Sequence, residues 1–440
     1  MKIFLDKLKD EIKVCVLGIG IRSKKDIFFC FLIWVTGPIM FFLAFGQSVR
    51  QPQTSLFDLT VLTYTVGITA TIICTVSTFY GVLGLFLKEK PFKGHTFKGK
   101  FSILIGARNE QEVITNLLKD IQGQTYKNFE AIVVCHNCDD NTYDVVNQVK
   151  DERIRPLELK GAALGKSVAL NYGVKHATGE VIVVFDADNS IPKDFLEKLA
   201  SYFPYYDGAQ TKIETKNPGF NLLTKLQDLE FLVFTDIYQK TRQVLGLNAL
   251  FGGTGEAVKK DVLEKVGNYD EWAFSEDFAL CTKLTVQNYK IGWCVETYVL
   301  DEKTPWWSDF FRQRARWTKG HLQVIVRYAK KYWNRPADFH YLIAPIIVLA
   351  PSLTMLLWVG FFLQLPFSAS FIPLWVWATP WIIWNLSIAI RIYKMRGLKS
   401  LLFFPLLFLY YYHWLAVFGY IWKVKAWPKT PHGFEKEARI

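Results

Sequence analysis

The sequence predicts a doubly wound α/β domain with a mostly parallel sheet, inserted between transmembrane α-helices and bordered by interfacial helices. Two observations lead to this fold class: strand and helix patterns alternate in the centre of the chain, and long apolar segments flank that centre. The composition agrees with this division. A chain of 440 residues that is 51% hydrophobic, with a formal net charge of +12, is too apolar for an ordinary soluble protein. It is also too charged to be a membrane bundle alone.

The central alternation is carried by short apolar runs separated by segments with helical spacing. The apolar runs predict buried strands at 101–105, 130–134 and 181–185, and a weaker strand at 154–159. The helical spacing predicts helices at 112–121, 143–150 and 166–176. Ligands of such sheets bind outside the carboxyl ends of the strands. Three polar clusters follow strand ends here, at 108–110, 136–140 and 186–188.

The apolar flanks contain segments long enough to cross a bilayer, whose core of about 30 Å needs about 20 apolar residues in a helix. These segments lie at 27–46, 59–87, 341–365, 371–390 and 401–422. The last is the least regular, because it contains Pro405 and the polar-aromatic run at 410–413. We therefore expect two transmembrane helices within 27–90 and two to three spans within 339–424.

The distribution of Lys and Arg predicts the orientation. Basic residues precede the first span and follow the second, so the central domain, 91–305, is expected at the cytosolic face of the plasma membrane in a multi-pass protein. The basic tail at 425–440 also favours the cytosol, which conflicts with three spans after the domain and leaves their number open. The segments 1–26 and 306–338 have the pattern of amphipathic interfacial helices. Membrane lipids, and no nucleic acid, are the partners that this charge predicts.

Asp186 and Asp188 follow the strong apolar run at 181–185. Two carboxylates at a strand end can hold a divalent cation against a diphosphate, and hard oxygen ligands suit Mg²⁺ or Mn²⁺. A solvated turn is the alternative for this motif taken alone. Cys135 and Cys138 form another pair of ligand type, but no second pair accompanies them, so the spacing does not predict a zinc site.

Two further motifs lie downstream. Ser275-Glu276-Asp277 has the pattern of a helix N-cap followed by acids, which would also fix a carboxylate in place. In the segment 313–317, helical spacing places Gln313, Arg316 and Trp317 on one face. Arg316 can clamp a diphosphate and Trp317 offers a flat face, although an interfacial helix with an aromatic anchor has the same pattern.

This ordered set of motifs resembles family 2 glycosyltransferases, specifically the membrane-integrated processive synthases of cellulose, mixed-linkage β-glucan, hyaluronan, chitin-type oligomers and poly-N-acetylglucosamine. The resemblance covers residues from about 100 to about 320 by motif and the flanking spans by architecture. It implies a GT-A domain at 91–305, a UDP-sugar donor and a growing polysaccharide as acceptor. Accessory export or assembly subunits are further partners of such synthases.

The resemblance also implies roles for individual residues. The loops after the first two strands would hold the uracil and ribose, and two departures occur there: Gly106 where the family often has Pro, and His136 where it often has Asp. A histidine can still hydrogen-bond uracil, and an ordinary loop histidine is the alternative. The implied donor and nucleotide contacts are Ala107, Arg108, Glu110, His136, Asp140, Lys166 and Asp186.

Lys166 opens a predicted helix after Gly165, a position that suits phosphate through the helix dipole and the ammonium, although a surface lysine is the alternative. The resemblance makes Asp277 the general base of an inverting transfer, with Glu276 orienting it or raising its pKa. Asp186 and Asp188 would hold the metal. The acceptor and diphosphate contacts would be Gly253, Thr254, Gly255, Gln313, Arg316 and Trp317, although a plain glycine turn also explains the first three.

The expected function is a processive inverting β-glycosyltransferase that polymerises a UDP-sugar, with UDP-glucose and a β-glucan favoured, and translocates the product. Three alternatives stay open: a poly-N-acetylglucosamine or hyaluronan-type synthase, a non-processive transferase with a lipid acceptor, and an inactive membrane scaffold of a polysaccharide export complex. The tryptophans of the later apolar segments have the pattern of interfacial belts, and the sequence assigns a function to none of them.

Overall fold

The computed structural model of the chain describes residues 18–31, 75, 78–86, 96–333, 374–411, 417 and 421–424. Within these residues, seven strands form one sheet in the order β3-β2-β1-β4-β6-β5-β7. The strands are β1 (Phe101–Ala107), β2 (Phe129–His136), β3 (Ile154–Leu159), β4 (Val181–Asp186), β5 (Gly208–Thr215), β6 (Glu256–Lys259) and β7 (Ile291–Asp301). Strand β6 runs antiparallel to both of its neighbours, and every other pair is parallel. The predicted mostly parallel sheet is confirmed.

Helices cover both faces of the sheet and continue beyond it. They are α1 (Lys24–Phe31), α2 (Ile114–Gln122), α3 (Thr142–Asn147), α4 (Lys166–His176), α5 (Phe195–Ala200), α6 (Leu222–Val233), a π-helix (Phe234–Gln239), α7 (Lys240–Val244), α8 (Lys260–Lys265), α9 (Glu276–Val286), α10 (Trp307–Trp333), α11 (Leu374–Leu401) and α12 (Phe404–Tyr411). The four strands and three helices predicted between 101 and 185 are all present, with ends shifted by a few residues.

The core forms because successive side chains of a strand point to opposite faces of the sheet. In β1, Leu104 packs with α4 and α9 on one face, whereas Ile103 and Ile105 pack with α2 and α5 on the other. Strands β1, β2 and β4 are buried along nearly their whole length and mostly apolar, as expected for strands covered on both faces. A third apolar cluster joins α6 to the later helices α10, α11 and α12.

The register of the parallel strands brings their carboxyl ends to one edge. Gly106 of β1 pairs with Val134 of β2 and with Asp186 of β4, so the loops that follow these strands leave the sheet side by side. The clusters that the sequence puts after three strands therefore meet in space. This alignment creates the site described below.

No helix in the described ranges has both the length and the apolar character needed to cross a bilayer. The spans predicted at 27–46, 59–87 and 341–365, the segment 1–26 and the tail at 425–440 lie largely or wholly outside those ranges. The spans predicted at 371–390 and 401–422 fall partly on α11 and α12, and are not confirmed there. The segment predicted as interfacial, 306–338, is helical over α10.

Helix α10 approaches the start of α9 closely because residue 320 is a glycine. A Cβ atom built on Gly320 would lie 2.6 Å from the backbone nitrogen of Ser275, well inside contact distance. The two helices carry the Gln/Arg/Trp motif and the acid motif, respectively. Gly320 therefore sets the distance between the two motifs.

We expect Gly320→Ala to lower the free energy of unfolding by about 1–3 kcal/mol, because overpacking forces the two helices apart. Thermal unfolding of the purified protein measures the effect. Gly123→Ala is the matched control, since a Cβ there would make an ordinary contact of 3.5 Å with the Lys119 carbonyl oxygen. Equal melting temperatures for the two variants would contradict the close approach.

Candidate active site

A cavity of about 360 Å³ opens at the carboxyl ends of β1, β2 and β4. It collects nearly all of the residues that the sequence singled out. Those that line it are Ala107, Arg108, Glu110, His136, Lys166, Asp186, Asp188, Gly253, Thr254, Glu276, Asp277, Gln313, Arg316 and Trp317. Residues from seven separate segments of the chain thus share one site, as expected for groups that act on one ligand.

Asp140 and Gly255 are the two predicted site residues that do not line the cavity. The carboxylate of Asp140 accepts hydrogen bonds from the backbone N–H of Gln111 at 3.2 Å and of Thr142 at 3.0 Å. It therefore ties the loop after β2 to the loop after β1. Gly255 adopts a left-handed φ of +61°, and its N–H donates to the Val184 carbonyl oxygen. The two residues shape the loops instead of facing the cavity.

The loops after β1 and β2 turn sharply at two asparagines in the left-handed region. Asn109 has a φ of 57° and Asn137 a φ of 47°, a conformation that Asn adopts more readily than most residues. The Asn109 side-chain oxygen accepts the backbone N–H of Asp139 at 2.8 Å, which joins the loops directly. His136 is buried between them, and burial lowers the pKa of its imidazole, so the ring is neutral at pH 7.

Lys166, the first residue of α4, lies at the centre of the polar contacts. Its ammonium donates to Asp186 Oδ1 at 2.5 Å and to the Gly253 carbonyl oxygen at 2.6 Å, and lies 3.9 Å from Glu276 Oε1. Burial disfavours the charge, but the carboxylates of Asp186 and Glu276 outweigh burial and raise the pKa of Lys166. The lysine is therefore charged and joins three of the predicted clusters.

Asn189 positions the carboxylate pair, and the sequence did not single it out. Its side-chain oxygen accepts the backbone N–H of Asp186 at 2.9 Å and the Thr254 hydroxyl, while its amide donates to Asp301 Oδ1 at 3.2 Å. Lys303 neutralises Asp301 at 2.6 Å. An Asn directly after an Asp-x-Asp motif is a local signal that could have indicated this role. Asp301 and Lys303 follow more than a hundred residues later, and no spacing rule connects them.

Asp186 and Asp188 supply two carboxylates to the cavity wall. In the part of the chain that the structure describes, no group of three or more His, Cys, Asp or Glu side chains is arranged to hold a metal ion. Mg²⁺ in nucleotide-dependent enzymes is commonly held by one or two carboxylates, the substrate phosphates and water. The hard oxygen atoms of Asp186 and Asp188 fit that smaller set.

The acid pair stands at the start of α9. Burial raises the pKa of Glu276 to about 7 and also raises that of Asp277, while Lys166 and Arg316 partly offset the effect. Gly253, with a φ of +82°, brings its loop so close that a Cβ there would lie 3.3 Å from Asp277 Oδ2. Ser275 occupies the N-cap position as predicted, but its hydroxyl makes no capping hydrogen bond, because Ser275 packs against α10.

The Gln/Arg/Trp motif of α10 faces the same cavity. The Arg316 guanidinium donates to the Phe274 carbonyl oxygen at 3.0 Å, just before the acid motif. The Trp317 ring lies 4.3 Å from the guanidinium carbon of Arg314, a residue that the sequence did not single out. The Arg314 guanidinium thus stacks over the Trp317 ring and helps to fix its position.

Arg314 is held by a buried ion pair with Glu230 of α6. The two guanidinium nitrogens donate to the two carboxylate oxygens at 3.2 and 2.6 Å, and the Tyr410 hydroxyl donates to the same carboxylate at 2.7 Å. Bidentate pairs of this kind fix orientation as well as charge. The contact joins α6, α10 and α12, so the position of Trp317 depends on a helix far downstream.

One end of the cavity is apolar and aromatic. The residues that line it come from α6, the π-helix, the segment before β6, and α11; they include Phe231, Val233, Phe234, Tyr238, Leu250, Phe251 and Trp384. Lys166, Asp186 and Asp188 make up the charged part of the lining, which we call its charged end. The cavity therefore has a charged end and an apolar end, with Asp277 and Arg316 also in its lining.

Residues 99–320, half of the chain, match the family model described as glycosyltransferase like family 2. The chain belongs to this family. It is a glycosyltransferase enzyme, and its mostly parallel seven-stranded sheet is a GT-A type fold.

Three relatives illustrate the range of names in the family. A probable glycosyltransferase, YdaM, of Bacillus subtilis (strain 168) is 31% identical over 53% of this chain and 58% of its own length. The β-monoglucosyldiacylglycerol synthase of Synechocystis sp. (strain ATCC 27184 / PCC 6803 / Kazusa) is 26% identical over 76% of this chain and 75% of its own. A poly-β-1,6-N-acetyl-D-glucosamine synthase of Staphylococcus epidermidis is 26% identical over 57% and 62%. The chain thus spans less than two thirds of the first and third proteins.

A solved structure shares the fold. The mannosyltransferase PcManGT from Pyrobaculum calidifontis, in complex with GDP-Man and Mn²⁺, superposes with a TM-score of 0.57. It covers 82% of this chain and 99% of its own, at 17% sequence identity. At that identity the likeness concerns the fold.

The buried acid pair predicts a pH dependence. The sequence predicts that Asp277 is a general base, and a general base acts in its ionised form. Because burial raises the pKa of Asp277 and of Glu276 beside it, we expect kcat/KM to fall as the pH drops through those raised values. Glu276→Gln removes a negative charge beside Asp277, lowers the pKa of Asp277, and moves the acidic limb of the profile to lower pH. Initial rates between pH 5 and pH 9 measure the limb. Glu264→Gln, at a glutamate whose side chain is 53% exposed, is the control, and identical limbs for the two variants would contradict the coupling.

Proposed function

We propose that the protein is an inverting glycosyltransferase that transfers a sugar from a UDP-sugar to the end of a growing β-glycan at the cytosolic face of a membrane. The observation that carries the proposal is the single cavity in which Lys166, Asp186, Asp277, Arg316 and Trp317 meet. It combines a cationic and metal-fitting end for a diphosphate with a buried base and an aromatic end for an acceptor.

The donor is assigned to the charged end. Ala107, Arg108, Glu110 and His136 lie where the loops after β1 and β2 border the cavity, and the neutral His136 ring can hydrogen-bond a base such as uracil. The Lys166 ammonium pairs with Asp186 in this structure. An incoming diphosphate would compete with that carboxylate for the ammonium. A divalent cation such as Mg²⁺ or Mn²⁺, held by Asp186 and Asp188, would neutralise charge on the leaving diphosphate.

Asp277 is assigned the general base. Its carboxylate takes the proton of the acceptor hydroxyl, the acceptor oxygen forms the new bond to C1 of the donor sugar, and the bond from C1 to the diphosphate oxygen breaks. UDP leaves with that electron pair, and Arg316 and Lys166 lie in the same cavity to stabilise its charge. The raised pKa of Asp277 supports this role, because a stronger base removes the hydroxyl proton more readily.

The acceptor is assigned to the aromatic end. Trp317 is held by Arg314 with its ring in the cavity wall, where a flat face suits the C–H face of a sugar ring. We favour UDP-glucose as donor and a β-glucan as product, with translocation through the apolar segments outside the described residues. Poly-N-acetylglucosamine, which a staphylococcal relative is named for synthesising, is the nearest alternative product.

A second candidate is the transfer of one sugar to a lipid. Two observations favour it: the acceptor end of the cavity is apolar, and the relative named β-monoglucosyldiacylglycerol synthase matches 76% of this chain. The two candidates share the donor, the base and the inversion. They differ in whether the product becomes the next acceptor.

Asp277→Asn is expected to reduce UDP release from the preferred donor by about 10²- to 10⁴-fold, the usual contribution of a general base. The assay compares UDP-glucose, UDP-N-acetylglucosamine and UDP-glucuronate, with Mg²⁺ or Mn²⁺ present and with the metal chelated. Asp261→Asn is the control, since that carboxylate is 63% exposed and pairs with Lys265 on the surface. Wild-type protein that releases UDP from none of the donors, and no faster than Asp277→Asn, would refute the proposal.

The size of the product separates the two candidates. With radiolabelled donor, polymerisation gives material that elutes early in gel filtration, contains many sugars per chain and is insoluble in organic solvent. Transfer to a lipid gives a single labelled species that partitions into chloroform–methanol. We expect the polymer. A product that carries one sugar would instead support the second candidate, transfer to a lipid.

A further inference from the structure

The aromatic end of the cavity is closed by helices outside the glycosyltransferase sheet. Trp384 of α11 lines the cavity beside Phe234 and Tyr238 of the π-helix. The helical segment at 78–86 backs this wall: Tyr80 stacks on Tyr238 with ring centroids 5.0 Å apart. The acceptor end is therefore completed by segments that precede and follow the central domain.

Helix α11 is held on the domain by two sets of ion pairs. Arg391 donates to Asp236 of the π-helix at 2.9 Å, and the Asp236 side chain is only 1% exposed. One turn and a half further on, Arg396 donates to Glu214 at 2.7 Å and to Asp228 at 3.2 Å. Breaking a buried pair of this kind is costly, because the remaining charge stays buried. These contacts therefore fix where α11 lies.

The π-helix both lines the cavity and binds helix α11. Phe234 and Tyr238, four residues apart, face the cavity, whereas Asp236 between them meets Arg391. A single wider turn of this kind is rare and occurs mostly at functional sites. The same segment that lines the acceptor end thus also anchors the helix that carries Trp384.

Trp384 has a polar atom that the fold leaves without a partner. The side chain is 4% exposed, and its indole N–H finds no hydrogen-bond acceptor among the residues that the structure describes. A buried tryptophan N–H usually has one. A Cβ atom built on Gly81 would lie 2.9 Å from Cε3 of the ring, so the helical segment at 78–86 packs closely against Trp384.

We propose that Trp384 binds the acceptor, with its indole N–H donating to an oxygen of the acceptor glycan, and that the Arg391–Asp236 pair is a positioning pair that holds it there. This inference rests on the proposed function, since it assigns a ligand to the acceptor end of the same cavity. A glycan hydroxyl or ring oxygen satisfies the N–H, and the indole face packs on the sugar. In this assignment Trp384 acts on the binding of the acceptor and not on the donor.

The test separates acceptor binding from donor chemistry. UDP-glucose is the donor, cellotetraose is the glycan acceptor probe, and hydrolysis of UDP-glucose without acceptor reports the donor site. Trp384→Phe keeps the ring and removes the N–H. It should raise the KM for cellotetraose about 3- to 10-fold, the range expected for one hydrogen bond, and by more than it changes the KM for UDP-glucose. Trp422→Phe, at a tryptophan that is 82% exposed, is the control.

Arg391 is tested in the same assay. Arg391→Met should raise the acceptor KM by at least as much as Trp384→Phe, with an unchanged donor KM, and Arg391→Lys should restore part of it because the charge returns. A purely structural role would lower kcat, donor affinity and thermal stability together. Dioctanoylglycerol serves as a lipid acceptor probe. A KM change confined to that probe would overturn the glycan assignment.

The outcomes separate the role of Trp384 from the proposed function. Active wild-type protein with an unchanged acceptor KM in Trp384→Phe would overturn the inference alone. Wild-type protein that neither hydrolyses nor transfers from any UDP-sugar would overturn the proposed function. Melting temperatures of the Trp384→Phe and Arg391→Lys variants within about a degree of wild type show that a change in KM arises at the site and not from lost stability.

Discussion

The ammonium of Lys166 is the interaction on which the site depends. Glu256, Glu276 and Asp277 are buried within one small volume beside Asp186, and burial raises the pKa of each of the first three. Without a cation among them, these carboxylates would take up protons or separate. Lys166 meets Asp186 and the Gly253 carbonyl oxygen directly and lies within 4 Å of Glu276. It thereby keeps an acidic, poorly hydrated site intact before any ligand arrives.

The same contact explains why the loops approach so closely. The Gly253 carbonyl oxygen can reach Lys166 only because residue 253 has no side chain and takes a left-handed φ beside Asp277. The backbone N–H of Gly253 points to Glu256 Oε2 at 3.3 Å, and Tyr269 donates to the other oxygen of that carboxylate at 3.5 Å. The buried carboxylates are thus hydrogen-bonded or neutralised in turn. A phosphate that enters next to Lys166 would exchange one anion for another without leaving the lysine uncompensated.

The sequence predicted the half of the fold in which local pattern and tertiary structure agree. Strands β1, β2 and β4 are mostly apolar, so the sequence pattern predicts their burial. The clusters after them lie together because parallel strands end at one edge. Strands β5, β6 and β7 were not predicted. Strand β6 has only four residues, and β5 buries polar side chains such as Gln210 and Thr211, whose partners lie in the loop before β6. Their pattern therefore lacks the usual signal.

The residues of the candidate site were likewise predicted only in part. Motif spacing identified the charged end of the cavity, where each group follows a strand or begins a helix. It missed Arg314, Glu230 and Tyr410, because a buried ion pair across 84 residues leaves no local trace. Asp140 was assigned to the nucleotide because it lies in the right loop, yet its carboxylate braces the neighbouring loop. The loop in which a residue lies determines which site it is near. The direction of its side chain depends on partners elsewhere in the chain.

The charged end and the apolar end of the cavity are held by different parts of the chain. The family match ends at residue 320, and the charged end of the cavity lies wholly within the matched residues. Trp384, Arg391 and Tyr410 come after it, on helices that reach the domain through carboxylates of α6 and the π-helix. Substitution on these helices can change the apolar end of the cavity without moving Lys166 or Asp186, because the contacts that hold those two are made inside the domain. The physical separation of these contacts allows the apolar end to vary while the charged end keeps its arrangement.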